Sequence, residues 1–127
     1  MRKKSPLWVV ILLALLALAY FLKESGGVRK DSTTDFDRSL TPLVLTKHAR
    51  CRMECRHIDE SEIKEILQRG RVNYSKSEPD GKPDPKYAVE GMTHDGQQVR
   101  VIFAPSRRGM VVITVIDLKE EWKCACN

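Results

Sequence analysis

The chain has 127 residues, a length that fits one domain with an appendage. Its formal net charge is +5 at pH 7, but three cations lie within the first four residues, and the rest of the chain carries 19 basic against 17 acidic side chains. This near balance excludes nucleic-acid binding by bulk charge, so that any basic site must come from local clustering.

Residues 1–22 contain no acidic side chain, and an uncharged apolar run extends from Leu7 to Leu22. This run of 16 residues is a little short of the ~20 residues that span a bilayer as a helix, yet it is longer than most signal-peptide cores. We therefore predict a hydrophobic membrane anchor over residues 1–22. The alternative is a signal peptide that is cleaved near Ala17–Ala19, where small residues flank a leucine.

The charges that flank the apolar run predict its orientation. Arg2, Lys3 and Lys4 precede the run, which favours an N-terminus that stays in the cytoplasm. The domain would then be extracytoplasmic, either as part of a single-pass membrane protein or, after cleavage, as a secreted protein. The first predicted partner is therefore the membrane, contacted through Leu7–Leu22.

Residues 23–42 form the predicted connection between this segment and the domain. They contain Gly26, Gly27 and three consecutive hydroxyl residues at 32–34, with almost no apolar periodicity. Such a composition is typical of a flexible linker. The sequence therefore predicts a single domain over residues 43–127.

The domain begins with a short apolar entry at residues 43–45, after which Thr46 is a candidate N-cap for a helix over Lys47–Arg56. A second helix begins after Asp59, because Glu62 follows three residues later and makes an acidic variant of the capping box. This helix ends at Gly70. Its predicted buried stripe consists of Ile63, Ile66 and Leu67.

The remainder of the chain is predicted to form a sheet. Four segments have the alternation or apolar content of strands, namely residues 71–76, 86–93, 97–104 and 110–116. Asp95-Gly96 is a strong hairpin signal, and short turns between successive strands indicate an antiparallel meander. The predicted fold class is α+β, with an N-terminal membrane helix followed by two helices packed on a four-stranded antiparallel sheet.

The first helix of the domain carries the densest group of reactive side chains. It has one acid, Glu54, against six basic or imidazole side chains at Lys47, His48, Arg50, Arg52, Arg56 and His57. Such a face can hold a phosphodiester, with arginines neutralising charge and a histidine moving a proton. A solvated cationic face without a function is the simpler interpretation, and the spacing alone favours it.

The four cysteines form two pairs at opposite ends of the domain. Cys51 and Cys55 are one helical turn apart, and Cys124 and Cys126 project to the same side if the tail is extended. This pattern predicts that the tail returns to the first helix. A tetrahedral zinc site and two helix-to-tail disulfides both fit, and four idle thiols are the remaining alternative.

The segment Thr46–Met53, followed by Arg56-His57-Ile58 and Gly70, resembles a bacterial family catalogued as domain of unknown function 4258. The later segments Tyr87–Gly91 and Val99–Val101 are similar to the sheet of that family. The resemblance covers roughly residues 43–118.

This family is thought to share its fold with the RelE- and BrnT-like toxin ribonucleases, in which helices precede an antiparallel sheet. The resemblance implies that His48 is a proton carrier and that Arg52 and Arg56 hold the phosphate during metal-free RNA cleavage. Further candidate substrate contacts are Arg50 on the cationic helix and Arg100 and Thr114 on the predicted sheet.

Two hypotheses follow from these observations, and the sequence leaves open whether the protein is an enzyme. The favoured one is a non-catalytic, membrane-anchored module that binds a metal, an anionic ligand or a protein partner, since an exported domain meets little RNA. The alternative is a metal-independent ribonuclease that uses His48 and the arginines.

Overall fold

A computed structural model of the protein describes residues 7–24 and 36–126, with the side chains of the first helix described as far as Phe21. The charges at Arg2, Lys3 and Lys4 and the linker residues 25–35 therefore lie outside the described residues. The chain divides into two compact units, residues 1–30 and 31–127.

The first unit contains helix α1, Leu7–Glu24, which has 18 residues and no acidic side chain in its first turn. Its described side chains are all exposed, and the large apolar ones range from 39% at Val9 to 71% at Phe21. Among the residues that the structure describes, no helix combines the length and the apolar character needed to cross a membrane. The predicted membrane-spanning helix is therefore not supported by the described residues.

The second unit contains two helices and a sheet of five strands, in the order β1-β5-β4-β3-β2. Its elements in chain order are β1 (Leu43–Leu45), α2 (Lys47–Arg56), α3 (Glu60–Arg69), β2 (Arg71–Val72), a 3₁₀ turn (Tyr74–Lys76), β3 (Tyr87–Met92), β4 (Gln98–Ser106) and β5 (Gly109–Asp117). The α+β class and the two helices of the domain agree with the sequence prediction.

The sheet is five-stranded and mixed, so the prediction of a four-stranded antiparallel sheet was wrong. The additional strand is β1, which pairs in parallel with β5 and places Leu43 opposite Met110 and Leu45 opposite Val112. Three residues are too few to establish a period of two, and a parallel pair needs a long crossover that local patterns do not reveal.

The predicted strand over residues 71–76 is also shorter than expected. Arg71 and Val72 pair with β3, the Asn73 N–H donates to the Ala88 carbonyl at 2.7 Å, and the backbone then enters the 3₁₀ turn. The Ser75 hydroxyl donates to the Asn73 side chain at 2.7 Å, and the Ser77 hydroxyl donates to the Asn73 carbonyl at 2.7 Å. Such local side-chain hydrogen bonds compete with strand pairing.

Both helices of the domain begin where the sequence predicts. The Thr46 hydroxyl accepts from the Ala49 N–H at 3.0 Å and also donates to the Ile113 carbonyl at 3.1 Å, which ties the start of α2 to β5. Asp59 and Glu62 form the predicted reciprocal capping box at the start of α3. The apolar faces of both helices pack against inward-facing residues of β3, β4 and β5 in one hydrophobic core. This core includes Val101 and Val115.

Residues just before β1 pack on the same domain. The Phe36 ring stacks on Tyr87 with centroids 4.4 Å apart, and Arg38 donates to the carbonyls of Leu67 and Gly70 at 2.8 Å each. The last two carbonyls lie at the end of α3, where a cation is favoured by the helix dipole. The packed part of this unit therefore includes residues that precede Leu43.

Candidate functional site

The C-terminal tail is joined to α2 by two disulfides, Cys51–Cys126 and Cys55–Cys124, with Cα atoms 5.7 and 5.9 Å apart. The step of four residues from Cys51 to Cys55 advances ~6 Å along the helix, and the step of two residues from Cys124 to Cys126 advances ~6.6 Å along an extended tail. The two spacings match, so both disulfides can form when the tail runs antiparallel to the helix. Of the alternatives that the sequence left open, the structure supports two helix-to-tail disulfides. It does not support a zinc site at these cysteines, because both bonds consume the thiolates that zinc would need.

Trp122 holds the tail near the end of the sheet. Its indole N–H donates to the Asp117 carboxylate at 2.9 Å, and its ring lies edge-on to His57 with centroids 5.6 Å apart. Burial raises the pKa of Asp117, but the hydrogen bonds from Trp122 and from the backbone N–H groups of Lys119 and Glu120 lower the pKa below its ordinary value. The tail is therefore attached to β5 as well as to α2.

Arg56 was predicted to hold the phosphate of a substrate. In the structure its side chain is buried. It is 9% exposed, and one guanidinium nitrogen donates to the Val115 carbonyl of β5. Burial lowers its pKa, the neighbouring Arg52 lowers it further, and Asp117 opposes both effects. Arg56 therefore links α2 to the sheet, and it also lines a cavity of about 450 Å³ together with Asp117 and Trp122.

His48 and Arg52 lie side by side on the part-exposed face of α2. The Arg52 Nε donates to the His48 Nε2 at 3.4 Å. No ion pair of Arg52 is found among residues 7–24 and 36–126. Arg50 is exposed and lines a shallow cavity of about 410 Å³, together with Met53, Glu54 and His57. His48 and Arg52 do not line this cavity.

Arg100 and Thr114 are not brought together with the residues of α2. The Arg100 Nε donates to the Glu90 Oε1 at 2.7 Å, and a second guanidinium nitrogen forms an ion pair with the same oxygen at 2.6 Å. Burial raises the pKa of Glu90, but hydrogen bonds from Asn73 and Arg100 lower it below its ordinary value. Strand alternation places Arg100 on the face opposite to buried Val99 and Val101, and Thr114 shares that outer face through its partner Ile102. The sheet therefore separates these two residues from His48.

The structure also gathers a group of residues that the sequence analysis missed. Candidate ligand atoms of Asp59, Glu62 and His94 all lie within 4.8 Å of one another. The capping box already pairs Asp59 with Glu62, but His94 belongs to the turn between β3 and β4. No sequence spacing connects that turn to the start of α3, so only the folded chain reveals the group.

A match to a known protein family classifies the chain. A family described as a domain of unknown function, number 4258, matches residues 45–117, which is more than half of the chain. The chain belongs to this family. The match to domain of unknown function 4258 runs from the end of β1 to the end of β5, so it includes Cys51 and Cys55 but not their partners in the tail. No curated protein and no solved structure matches the chain.

Proposed function

We propose that this protein is an exported, non-catalytic binding module that holds an anionic group at Arg52 and His48. The observation that carries the proposal is the half-buried Arg52 guanidinium, which contacts His48 and has no acidic partner among the described residues. Arginine presents a planar fork of donors that matches the geometry of carboxylates and phosphates. A half-buried arginine without a carboxylate partner among the described residues is therefore well suited to an external anion.

The disulfides favour binding at this position because they fix the helix in advance. Cys51 and Cys55 flank Arg52 in the sequence, and each is bonded to the tail. A rigid site loses less conformational entropy when a ligand binds, so that more of the interaction energy appears as affinity. The exposed Lys123 lies in the same tail and adds positive charge near α2.

We test anion binding with inorganic phosphate as the probe and the full-length, oxidised protein in detergent. Addition of phosphate is expected to shift the amide resonances of residues 48–56, and Arg52→Gln is expected to remove these shifts. Arg71→Gln is the matched control, since Arg71 is an exposed arginine on β2. Equal shifts in the wild type and Arg52→Gln would reject the site.

We further propose that the domain lies outside the cytoplasm and that residues 7–22 attach the chain to the membrane. Disulfides persist in oxidising compartments, and a helix whose described apolar side chains are all exposed needs a lipid or protein cover. A reporter that is active only in the cytoplasm, fused to Asn127, is expected to give no signal. Strong reporter activity would reverse the orientation, and release of the protein by alkaline carbonate would reject the attachment.

The second candidate is a RelE- and BrnT-like, metal-independent ribonuclease. The contact between His48 and Arg52 favours it, because a proton carrier next to a phosphate-binding arginine is what such cleavage needs. The burial of Arg56 and its bond to the Val115 carbonyl count against it. If the protein cleaves RNA without added metal, His48→Ala should lower the rate by ~10²–10⁴-fold. Absence of cleavage by the wild type would leave the binding module as the function.

A further inference from the structure

A buried carboxylate with an unused oxygen lies at the start of α3. Glu62 is 1% exposed, and its Oε2 accepts from the Asp59 N–H at 3.0 Å as part of the capping box. Its Oε1 is buried and has no hydrogen-bond partner among the described residues. Because a buried carboxylate oxygen without a partner is costly, this oxygen indicates a bound group that would compensate it.

The surroundings of this oxygen match the spacing of a metal site. The His94 Nε2 lies 3.5 Å from the Glu62 Oε1, which is long for a charged hydrogen bond. Two ligands of a tetrahedral zinc ion, each bound at about 2.1 Å, lie about 3.4 Å apart. A carboxylate oxygen of Asp59 is the third candidate ligand, and all three atoms are within 4.8 Å of one another. Two ligands of one ion at about 2.1 Å lie no more than about 4.2 Å apart, so the exposed Asp59 side chain would move slightly closer when the ion binds.

The second nitrogen of His94 lies near a carboxylate, the group that often orients a metal-binding histidine, at a distance longer than a hydrogen bond. Its Nδ1 lies 3.6 Å from the Glu65 Oε2, while the other oxygen of Glu65 accepts from Arg69 at 3.1 Å. Histidines that bind a metal through one nitrogen generally direct the other N–H to a carboxylate, which fixes the tautomer and the ring orientation. Glu65 is therefore placed to orient His94.

We propose that Asp59, Glu62 and His94 bind a divalent transition-metal ion of the zinc type, with Glu65 as a positioning residue. One imidazole nitrogen and two carboxylate oxygens suit such ions, and three protein ligands leave a coordination position for water. Asp59 and His94 are exposed, so that an ion and a water molecule can reach the site from solvent. This site is separate from the cysteines, all four of which are bonded in disulfides.

Protonation of His94 is the alternative to a metal ion bound by Asp59, Glu62 and His94. A protonated His94 would form ion pairs with Glu62 and Glu65 and would need no metal. The two arrangements differ in one measurable respect, because only the first gives a saturable binding site for Zn²⁺ that depends on all three ligands.

The test is calorimetric titration of the full-length, oxidised protein with Zn²⁺. The expected result is one ion per chain, with binding abolished by His94→Ala and by Glu62→Gln. Glutamine keeps the capping box, so Glu62→Gln separates the loss of a ligand from the loss of a helix cap. Glu65→Gln is expected to weaken binding by ~10–100-fold, as is typical when the partner of a ligand is removed.

His57→Asn serves as the control, because it removes an exposed histidine at the other end of the α2–α3 connection and asparagine tolerates the left-handed backbone at this position. It is expected to bind Zn²⁺ as the wild type does. X-ray absorption of the zinc-loaded protein should show nitrogen and oxygen ligands alone. No binding by the wild type, unchanged binding by His94→Ala, or sulfur ligands in the absorption spectrum would each overturn the proposal.

Discussion

Helices α2 and α3 have ten residues each and begin at a side-chain cap, yet they are attached to the domain by different means. Helix α3 buries three apolar side chains, Ile63, Ile66 and Leu67. Helix α2 buries only Ala49 and Met53 together with the charged Arg56, and it carries both disulfides. The comparison teaches that covalent links to the tail supplement apolar burial where a helix is too polar to be held by burial alone.

The largest expected effect comes from removing both disulfides. Replacing Cys124 and Cys126 by alanine is expected to lower the free energy of unfolding by at least ~4 kcal/mol, because one loop of about seventy residues contributes that much and the second disulfide adds to it. Urea unfolding measures the change. Dithiothreitol should destabilise the wild type similarly and leave a variant with all four cysteines replaced unaffected. A wild type that is equally stable in dithiothreitol would contradict the role assigned to the tail.

A smaller loss of stability is expected when a buried apolar side chain of α3 is truncated. Ile66→Ala should cost about 3 kcal/mol, since Ile66 is 2% exposed and the substitution leaves a cavity against the sheet. The two attachments share no residues, so the cost of Ile66→Ala should be the same in oxidised and reduced protein if the reduced protein stays folded. Unfolding by urea under both conditions checks this. A cost that differs by much more than ~0.5 kcal/mol would mean that the two helices depend on each other.

The smallest expected effect concerns pH and the tail. The folded pKa of Asp117 is below its ordinary value, so its carboxylate contributes stability that is present above the unfolded pKa of ~3.9 and is lost as pH falls through the folded value. Asp117→Asn should therefore reduce the loss of stability between neutral pH and strongly acidic pH. Urea unfolding of both proteins at a series of pH values measures the difference. Identical acid dependence would show that the hydrogen bond from Trp122 does not favour the ionised carboxylate.

The helix caps were accessible from the sequence because each depends on residues a few positions apart, and the return of the tail was predicted because each of its two cysteine pairs has a local spacing that places both thiols on one side. Asp59 and Glu62 satisfy each other within one turn, and Cys51 and Cys55 face the same way on any regular helix. The burial of Arg56 was not accessible. In a helical projection, Arg56 falls on the cationic face of α2. Only the packing of α2 against β5 brings its guanidinium to the Val115 carbonyl.

The sequence by itself determined the α+β class, the bounds of α2 and the capping box of α3, because local hydrogen bonds and side-chain periodicity specify them. It predicted that the tail returns to α2, but only the structure distinguished disulfides from zinc. Only the tertiary structure decided that Leu43–Leu45 is a fifth strand beside β5, and that His94 meets Glu62. Both depend on segments that are far apart in the chain and are brought together by burial of the common core. Such contacts have no local pattern, since their residues acquire a shared environment only when the sheet and the helices pack.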